Sequence, residues 1–212
     1  MVPRCHGALI HDPMTLPQPA ETEVKTFHVG LSDDLAQLLA ADASAGKCWC
    51  MWFIDPVKDF HAAGAAGNRE RFEGLARSAA EPMGLLAYRA GRPVGWCAVG
   101  PMERFARALR TPTLRGCGAP PQKSWLVPCF FVHPAHRRSG VTRRLLERAV
   151  SLAAEHGAEL VAGFPVAGQR PASSGDRQVG SEGVFAGAGF VPVHRPSGNR
   201  VVMQRAVGRA TP

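Results

Sequence analysis

A short basic segment, His133 to Thr142, combines residue types that bind phosphate oxygens. Arg137 and Arg138 supply fixed positive charge, and Gly140 lets the backbone approach a ligand closely. The apolar run from Trp125 to Val132 precedes the segment and predicts a buried strand. Apolar residues at helical spacing follow it, so the segment would lead into the free N–H groups of a helix start. These features predict a binding site for pyrophosphate.

Other phosphate motifs fit this segment poorly, because neither Gly-Lys-Ser/Thr nor Gly-x-Gly-x-x-Gly is present in it. Arg143 and Arg144 extend the basic run, which leaves a solvated basic face or a nucleic-acid-binding surface as alternatives. No aromatic residue lies among these arginines to stack on bases, so the nucleic-acid alternative is the less favoured.

A second group of reactive and aromatic residues lies between positions 48 and 61. Cys48 and Cys50, with His61, could bind a metal ion or carry an acyl group. In a strand, two thiols one residue apart point to opposite faces, so we expect no metal site and favour packing beside the tryptophans. The residues of this group that could line a substrate pocket are Trp49, Trp52 and Phe53.

The elements around these groups predict an α/β domain. A β-α-β unit is expected, in which the helix from Val141 leads to a strand at Glu159–Phe164. Pro128 lies inside the preceding strand and indicates a bulge or a splayed edge. The segment Cys48–Ile54 is read as a strand or as part of a helix–loop wall. The other predicted elements are a strand at Glu21–His28, a helix capped by Ser32 and ending near Gly46, a Gly/Ala-rich loop, a helix at Asn68–Ala80, a hairpin of Gly84–Arg89 with Val94–Val99, short helices at Glu103–Arg110 and Glu182–Ala188, and a hairpin of Phe190–His194 with Arg200–Gln204.

Composition and length indicate one domain in a chain of 212 residues. The net charge of +8 suits an anionic ligand or surface. No apolar run approaches the roughly 20 residues that span a bilayer, and the six cysteines show no Cys-x-x-Cys spacing, which favours a reducing compartment. We therefore expect a cytoplasmic protein with no membrane contact. Residues 1–20 and 207–212 are expected to be flexible tails of a domain at 21–206, and the Gly/Ser/Pro-rich loop Pro165–Gly180 is expected to be mobile.

The pattern Arg137-x-x-Gly140-x-Thr142 resembles the acyl-CoA loop of the GCN5-related N-acetyltransferase (GNAT) family, Gln/Arg-x-x-Gly-x-Gly/Ala. The Gly189-Phe190 pair and the order of elements are also similar to that family, and Cys48–Met51, Gly95–Val99 and Cys129–Val132 are similar to a bacterial subgroup of it. The resemblance implies a mixed central sheet, flanked by helices and splayed between its fourth and fifth strands. It also implies that acetyl-CoA is bound by strand residues Phe130, Phe131 and Val132 and by loop residues Arg137, Arg138, Ser139, Gly140, Val141 and Thr142.

Two departures from the family pattern affect catalysis. Phe185 stands where many members have a tyrosine that protonates the leaving thiolate, and Pro165 stands where an Asn often meets the cofactor. The catalytic acid and base stay unassigned, with His133, His136, Glu103 and Glu182 as candidates for the base.

The resemblance implies an N-acetyltransferase that acetylates a primary amine of a small molecule by direct attack. The acceptor is expected to be a small amine or an amino-acid-like molecule with an apolar or aromatic part, because the candidate pocket residues are aromatic and acidic residues near them are few. A nucleic-acid- or tRNA-associated binding module and a non-catalytic CoA-binding sensor are the alternatives, and a homodimer is compatible with the sequence.

Overall fold

Seven strands form one mixed sheet in the order β1-β2-β3-β4-β5-β7-β6 in the computed structural model, which describes residues 21–115, 118–168 and 178–207. The strands are β1 Glu23–Thr26, β2 Gly84–Arg89, β3 Arg92–Pro101, β4 Ser124–Val132, β5 Leu160–Gly163, β6 Val191–Ser197 and β7 Arg200–Ala206. The helices are α1 Ser32–Leu39, α2 Ala43–Cys48, α3 Val57–Ser78, α4 Ala106–Leu109, α5 Val141–Glu155 and α6 Glu182–Gly187. The predicted α/β class, the β-α-β unit and both hairpins are confirmed.

The sheet splays between β4 and β5, as predicted. These two parallel strands pair only from Ser124 with Leu160 to Val127 with Gly163. Pro128 follows at once, and β4 has one extra residue there relative to β3, which makes a bulge. The reason is that proline has no N–H to donate to a neighbouring strand. Beyond Pro128, residues Cys129–Val132 pair only with β3.

Alternate residues of the central strands enter cores on opposite faces of the sheet. Leu85, Ala87 and Cys97 pack with the apolar face of α5 and with Phe185 of α6. Leu86 and Trp96 pack with α1, α3 and the segment between α2 and α3.

The helix predicted from Ser32 to near Gly46 is wrong in its boundaries. Ser32 is the first helical residue and its side chain makes no capping bond; Leu31 occupies the cap position. The helix ends at Leu39, and a new one begins after Asp42, whose carboxylate accepts from the N–H groups of Ser44 and Ala45. The N-cap at Asp42 starts a second helix, so two helices form where the sequence predicted a single continuous one.

The segment after α2 also differs from part of the prediction. Of the two readings of Cys48–Ile54, the strand is wrong and the helix–loop wall is confirmed, because α2 ends at Cys48 and a 3-10 turn covers Met51–Phe53. The predicted Gly/Ala-rich loop is instead helical, so α3 begins at Val57, eleven residues before the predicted start at Asn68. Alanine is a strong helix former, and Gly64, at φ 61°, absorbs a kink between the two parts of α3.

Some sequence predictions fall outside the described residues. The flexible N-terminal tail at 1–20 lies there entirely, as do positions 208–212 of the C-terminal tail and 169–177 of the loop predicted to be mobile. Within the described ranges, no helix is both long and apolar enough to cross a membrane.

Substitutions at two glycines, one buried in the sheet and one exposed on a helix, test how tightly the sheet is packed around Gly84. A Cβ at Gly84 would lie 2.3 Å from the Cys97 carbonyl oxygen and 2.5 Å from the Trp96 ring, whereas a Cβ at the exposed helical Gly74 would meet nothing within 4 Å. We expect Gly84→Ala to lower the free energy of unfolding by about 1–3 kcal/mol. Gly74→Ala should raise it by about 0.5–1 kcal/mol. Urea denaturation measures both, and equal effects would contradict this packing.

Candidate functional site

The basic segment forms a tight loop that delivers backbone N–H groups to one place. After a 3-10 turn at Pro134–His136, Arg138 has φ 59° and Gly140 has φ 84° before α5 begins. Gly140 caps α5 without a side-chain bond. The N–H groups of Arg138, Ser139 and Gly140 find no backbone acceptor in the described part of the chain. The loop and the positive end of α5 are therefore suited to an anion.

Arg89, which the sequence analysis missed, holds this loop from the neighbouring hairpin. One guanidinium nitrogen donates to the Ser139 carbonyl oxygen at 2.8 Å, and Nε donates to Thr22 Oγ1 at 2.8 Å. Val141 packs under the hairpin, because a Cβ at Gly95 would lie 2.6 Å from its side chain. Val141 is buried, so only its amide is available to a ligand.

A cleft of about 180 Å³ lies between the loop and the splayed end of β4, and we call it the loop cleft. It brings together two parts of the predicted binding set, with Arg137 Nε donating to the Val132 carbonyl oxygen at 3.2 Å. Ser139, Gly140 and Val141 belong to the predicted binding set but are not among the residues that line the cleft. The residues that line it are Asp42, Phe130, Phe131, Val132, Arg137, Arg138, Thr142 and Gln178.

Unpaired backbone groups of β4 face this cleft. The N–H of His133 donates to the Val94 carbonyl of β3. Since alternate residues of an antiparallel strand turn their polar groups to the same side, those of Phe130 and Val132 face away from β3. On that side β5 has already ended its pairing. The N–H groups of Phe130 and Val132 are thus available to an extended polar ligand, whereas the Val132 carbonyl already accepts from Arg137 and the Phe130 carbonyl from the Cys129 S–H.

Asp42 forms the opposite wall of the loop cleft. It accepts hydrogen bonds from the Ser44 hydroxyl at 2.6 Å and from the Ser44 and Ala45 N–H groups. The Ser44 hydroxyl, with smaller contributions from the backbone and Arg137, lowers the pKa of Asp42. The carboxylate therefore stays ionised and committed to capping α2.

A larger cavity of about 470 Å³ lies beyond the loop cleft, and we call it the aromatic cavity. Gln178 lines both spaces, which makes them neighbours. The aromatic cavity is lined by Ser44, Lys47, Cys48, Trp52, Phe53, Phe60, His61 and Gln178.

The three predicted pocket aromatics separate in the structure. Trp52 and Phe53 line the aromatic cavity, whereas Trp49 is buried in the core against Phe72, with ring centroids 5.8 Å apart. Trp49 and Cys50 have positive φ values (46° and 56°), and this left-handed turn changes the chain direction between Trp49 and Trp52. Arg107 stacks on Trp52 at 3.4 Å and donates to its carbonyl oxygen.

A narrow thiol-lined space shares Phe131 with the loop cleft and Cys48 with the aromatic cavity. Cys48, Cys50 and Cys129 line it, and the Trp96 indole N–H donates to Cys50 Sγ at 3.1 Å. Burial, followed by the charge on Cys50, raises the pKa of the Cys48 thiol well above its usual range. The Cys129 S–H, followed by Trp96 as a second donor, lowers the pKa of Cys50. The accessible thiol, Cys48, is therefore a poor nucleophile.

The remaining acid–base candidates lie away from the aromatic cavity. His133 and His136 line a different cavity with Arg92, and burial lowers the pKa of His136. Glu182 pairs with Arg195, which lowers its pKa, and exposed Glu103 lines none of these spaces.

Phe185, at the position where the resemblance expects a tyrosine, and Tyr88, the one tyrosine of the sequence, are also committed elsewhere. Phe185 is fully buried, 6.1 Å from Phe130 between ring centroids. Tyr88 donates to Asp34 at 2.6 Å, and burial followed by this bond raises its pKa. Among the described residues, no three His, Cys, Asp or Glu side chains are grouped to hold a metal ion.

Sequence comparison gives one family match. A model of the acetyltransferase (GNAT) family matches residues 39–172, which include every residue that lines the loop cleft except Gln178. No curated protein matches the chain.

Solved structures share the fold at low sequence identity. The GNAT domain of Streptomyces lividans PAT is 18% identical, covers 87% of this chain and 90% of its own, and has a TM-score of 0.51. YncA from Salmonella typhimurium, solved with its cofactor acetyl-CoA, is 16% identical, with coverage of 90% and 97% and a TM-score of 0.50. PaiA N-acetyltransferase from Thermoplasma acidophilum, solved with coenzyme A, is 11% identical, with coverage of 88% and 99% and a TM-score of 0.50.

The raised pKa of Cys48 predicts slow alkylation. Its thiol stays protonated at pH values where a free cysteine ionises, so iodoacetamide at pH 8 should modify Cys48 at least about ten times more slowly than glutathione. The rate should keep rising above about pH 9, where glutathione approaches its plateau. Peptide mapping by mass spectrometry separates Cys48 from the other thiols, and a plateau at the same pH as glutathione would contradict the assignment.

Proposed function

Because the chain belongs to the acetyltransferase (GNAT) family, we propose that it transfers the acetyl group of acetyl-CoA to a primary amine of a small molecule. The observation behind this proposal is the adjacency of the loop cleft and the aromatic cavity through Gln178. A polar cleft with an anion-binding loop suits the CoA thioester, and an apolar cavity beside it suits a second substrate.

Residues of the loop cleft bind acetyl-CoA in this proposal. The amides from Arg138 to Thr142 hold the pyrophosphate, assisted by the guanidinium groups of Arg137 and Arg138. Phe130 and Val132 offer their unpaired N–H groups to the carbonyl oxygens of the pantetheine arm, in effect extending the sheet. Two neighbours of the same fold, YncA and PaiA, were solved with acetyl-CoA or coenzyme A, which supports this part.

The transfer is a direct attack. The neutral amine bonds to the thioester carbonyl carbon, and a backbone N–H of β4 donates to the oxygen as charge develops on it. The carbon–sulfur bond then breaks and the CoA thiolate leaves; a thiol with a pKa of about 8.5 needs no strong acid to depart. This accords with Phe185 and Tyr88, neither of which is available as a proton donor. Since Cys48 is a poor nucleophile, no acyl-cysteine is invoked.

His61 accepts the amine proton in this proposal. Among the described residues it is the imidazole that lines the aromatic cavity, where its ring lies beside Trp52 and Phe60. It is exposed, so the proton passes on to solvent.

A carboxylate in the loop should abolish CoA binding. Gly140→Glu places a negative charge where the pyrophosphate binds, and we expect the Kd for CoA to rise at least about 100-fold. Gly157→Glu is the matched control, because Gly157 lies at the other end of α5 with φ 74° and, like Gly140, has open space within 4 Å of the point where a Cβ would lie. Calorimetry with CoA measures both, and equal affinities in the two variants would refute the assignment of the loop.

The proton acceptor is tested by turnover. His61→Gln should lower kcat/KM for an aromatic amine by about 100-fold, with the KM for acetyl-CoA unchanged. His28→Gln, an exposed histidine outside the three spaces, should leave both unchanged. Release of the CoA thiol is the readout. Sound CoA binding without turnover on any amine would favour the sensor alternative over an enzyme.

A further inference from the structure

We infer that the acceptor carries an anionic group beside its amine and that Lys47 binds this group, an inference that rests on the proposed acetyl transfer. The acceptor class is therefore an amino acid with a large apolar or aromatic side chain, or a close chemical equivalent. The inference rests on the positive charge at the aromatic cavity, whereas a simple cationic amine would need carboxylates to pair with it.

Two cations that lack acidic partners among the described residues lie at the cavity, one in its lining and one against Trp52 of its wall. Lys47 lines it from the last turn of α2, and its ammonium makes no ion pair with any described residue. Arg107 lies flat on the Trp52 wall, and its described hydrogen bond goes to the Trp52 carbonyl oxygen, a neutral group. Desolvation lowers the pKa of Arg107, as expected of a cation that lacks a carboxylate.

No described carboxylate lines the cavity to balance these charges. Asp55 is buried and committed to an ion pair with Arg71 at 2.8 Å. Asp42 lines the loop cleft instead and is occupied by the start of α2. An acceptor with a lone ammonium would meet net repulsion here, whereas a carboxylate on the acceptor would pair with Lys47.

The same charges assist the chemistry. Nearby cations favour the neutral form of an amine, which is the form that attacks the thioester. The apolar body of the acceptor is matched by the rings of Trp52, Phe53 and Phe60, and the Trp52 and Phe60 rings lie edge to face at 5.1 Å. An anionic group at Lys47, an aromatic body on the walls and a neutral amine toward the loop cleft together describe the bound acceptor.

Matched acceptors that differ only in the carboxylate test the inference. We would compare tryptophan with tryptamine and phenylalanine with 2-phenylethylamine, using acetyl-CoA and thiol release. Each amino acid should show a kcat/KM at least about tenfold above that of its amine, because the charge-assisted pair is lost in the amine.

Substitutions at Lys47 then assign the preference to a residue. Lys47→Met should erase it by lowering kcat/KM for the amino acids alone, while Lys47→Arg should keep it. Lys58→Met is the control, since Lys58 is an exposed lysine of α3 that does not line the cavity, and it should leave the preference intact. The exposed Lys47 side chain makes no described packing contact with the core, and thermal unfolding would verify that the variants fold.

The outcomes separate the two proposals. Amines acetylated as fast as the amino acids, or a preference unchanged in Lys47→Met, would overturn the anionic acceptor and leave acetyl transfer standing. Failure of every amine and amino acid to release thiol, despite CoA binding, would overturn acetyl transfer and this inference with it.

Discussion

The end of strand pairing at Pro128 is the constraint on which the site depends. A proline cannot donate to β5, and the bulge that forms at it turns the last residues of β4 away from their parallel neighbour. Backbone groups that would otherwise be paired are left facing a gap, where they need a polar partner. The cleft between β4 and the loop is this gap, and its capacity to hold an extended ligand follows from one missing hydrogen bond donor.

The loop gains its shape from contacts on both of its sides. Arg89 fixes the Ser139 carbonyl from β2, and Arg137 fixes the Val132 carbonyl from within the loop itself. Val141 anchors the start of α5 against the backbone of β3 at Gly95. These contacts hold the free N–H groups in one direction before any ligand arrives, which reduces the ordering that binding requires.

Helix α2 divides the two spaces and gives them opposite characters. The carboxylate that caps its start faces the loop cleft, while Lys47 and Cys48 at its end face the aromatic cavity. The cap and the last turn of α2 thus place an acidic wall beside the loop cleft and a basic wall beside the aromatic cavity. In the proposed function, this arrangement lets the acceptor side select by charge as well as by shape.

The sequence by itself determined the strand, loop and helix from Trp125 onward, the hairpins and the splay, because proline chemistry and short-range periodicity specify each of them locally. The separation of Trp49 from Trp52 could not be read from it. Both are equally apolar, and only the left-handed turn at Trp49 and Cys50 directs one to the core and the other to the cavity. The role of Arg89 was equally hidden, since it contacts a residue 50 positions away. The tertiary structure alone decided which residues form the aromatic cavity. Its walls come from α2 and α3, and a distant arginine stacks on one of them; no periodic pattern in the sequence indicates that these parts lie together.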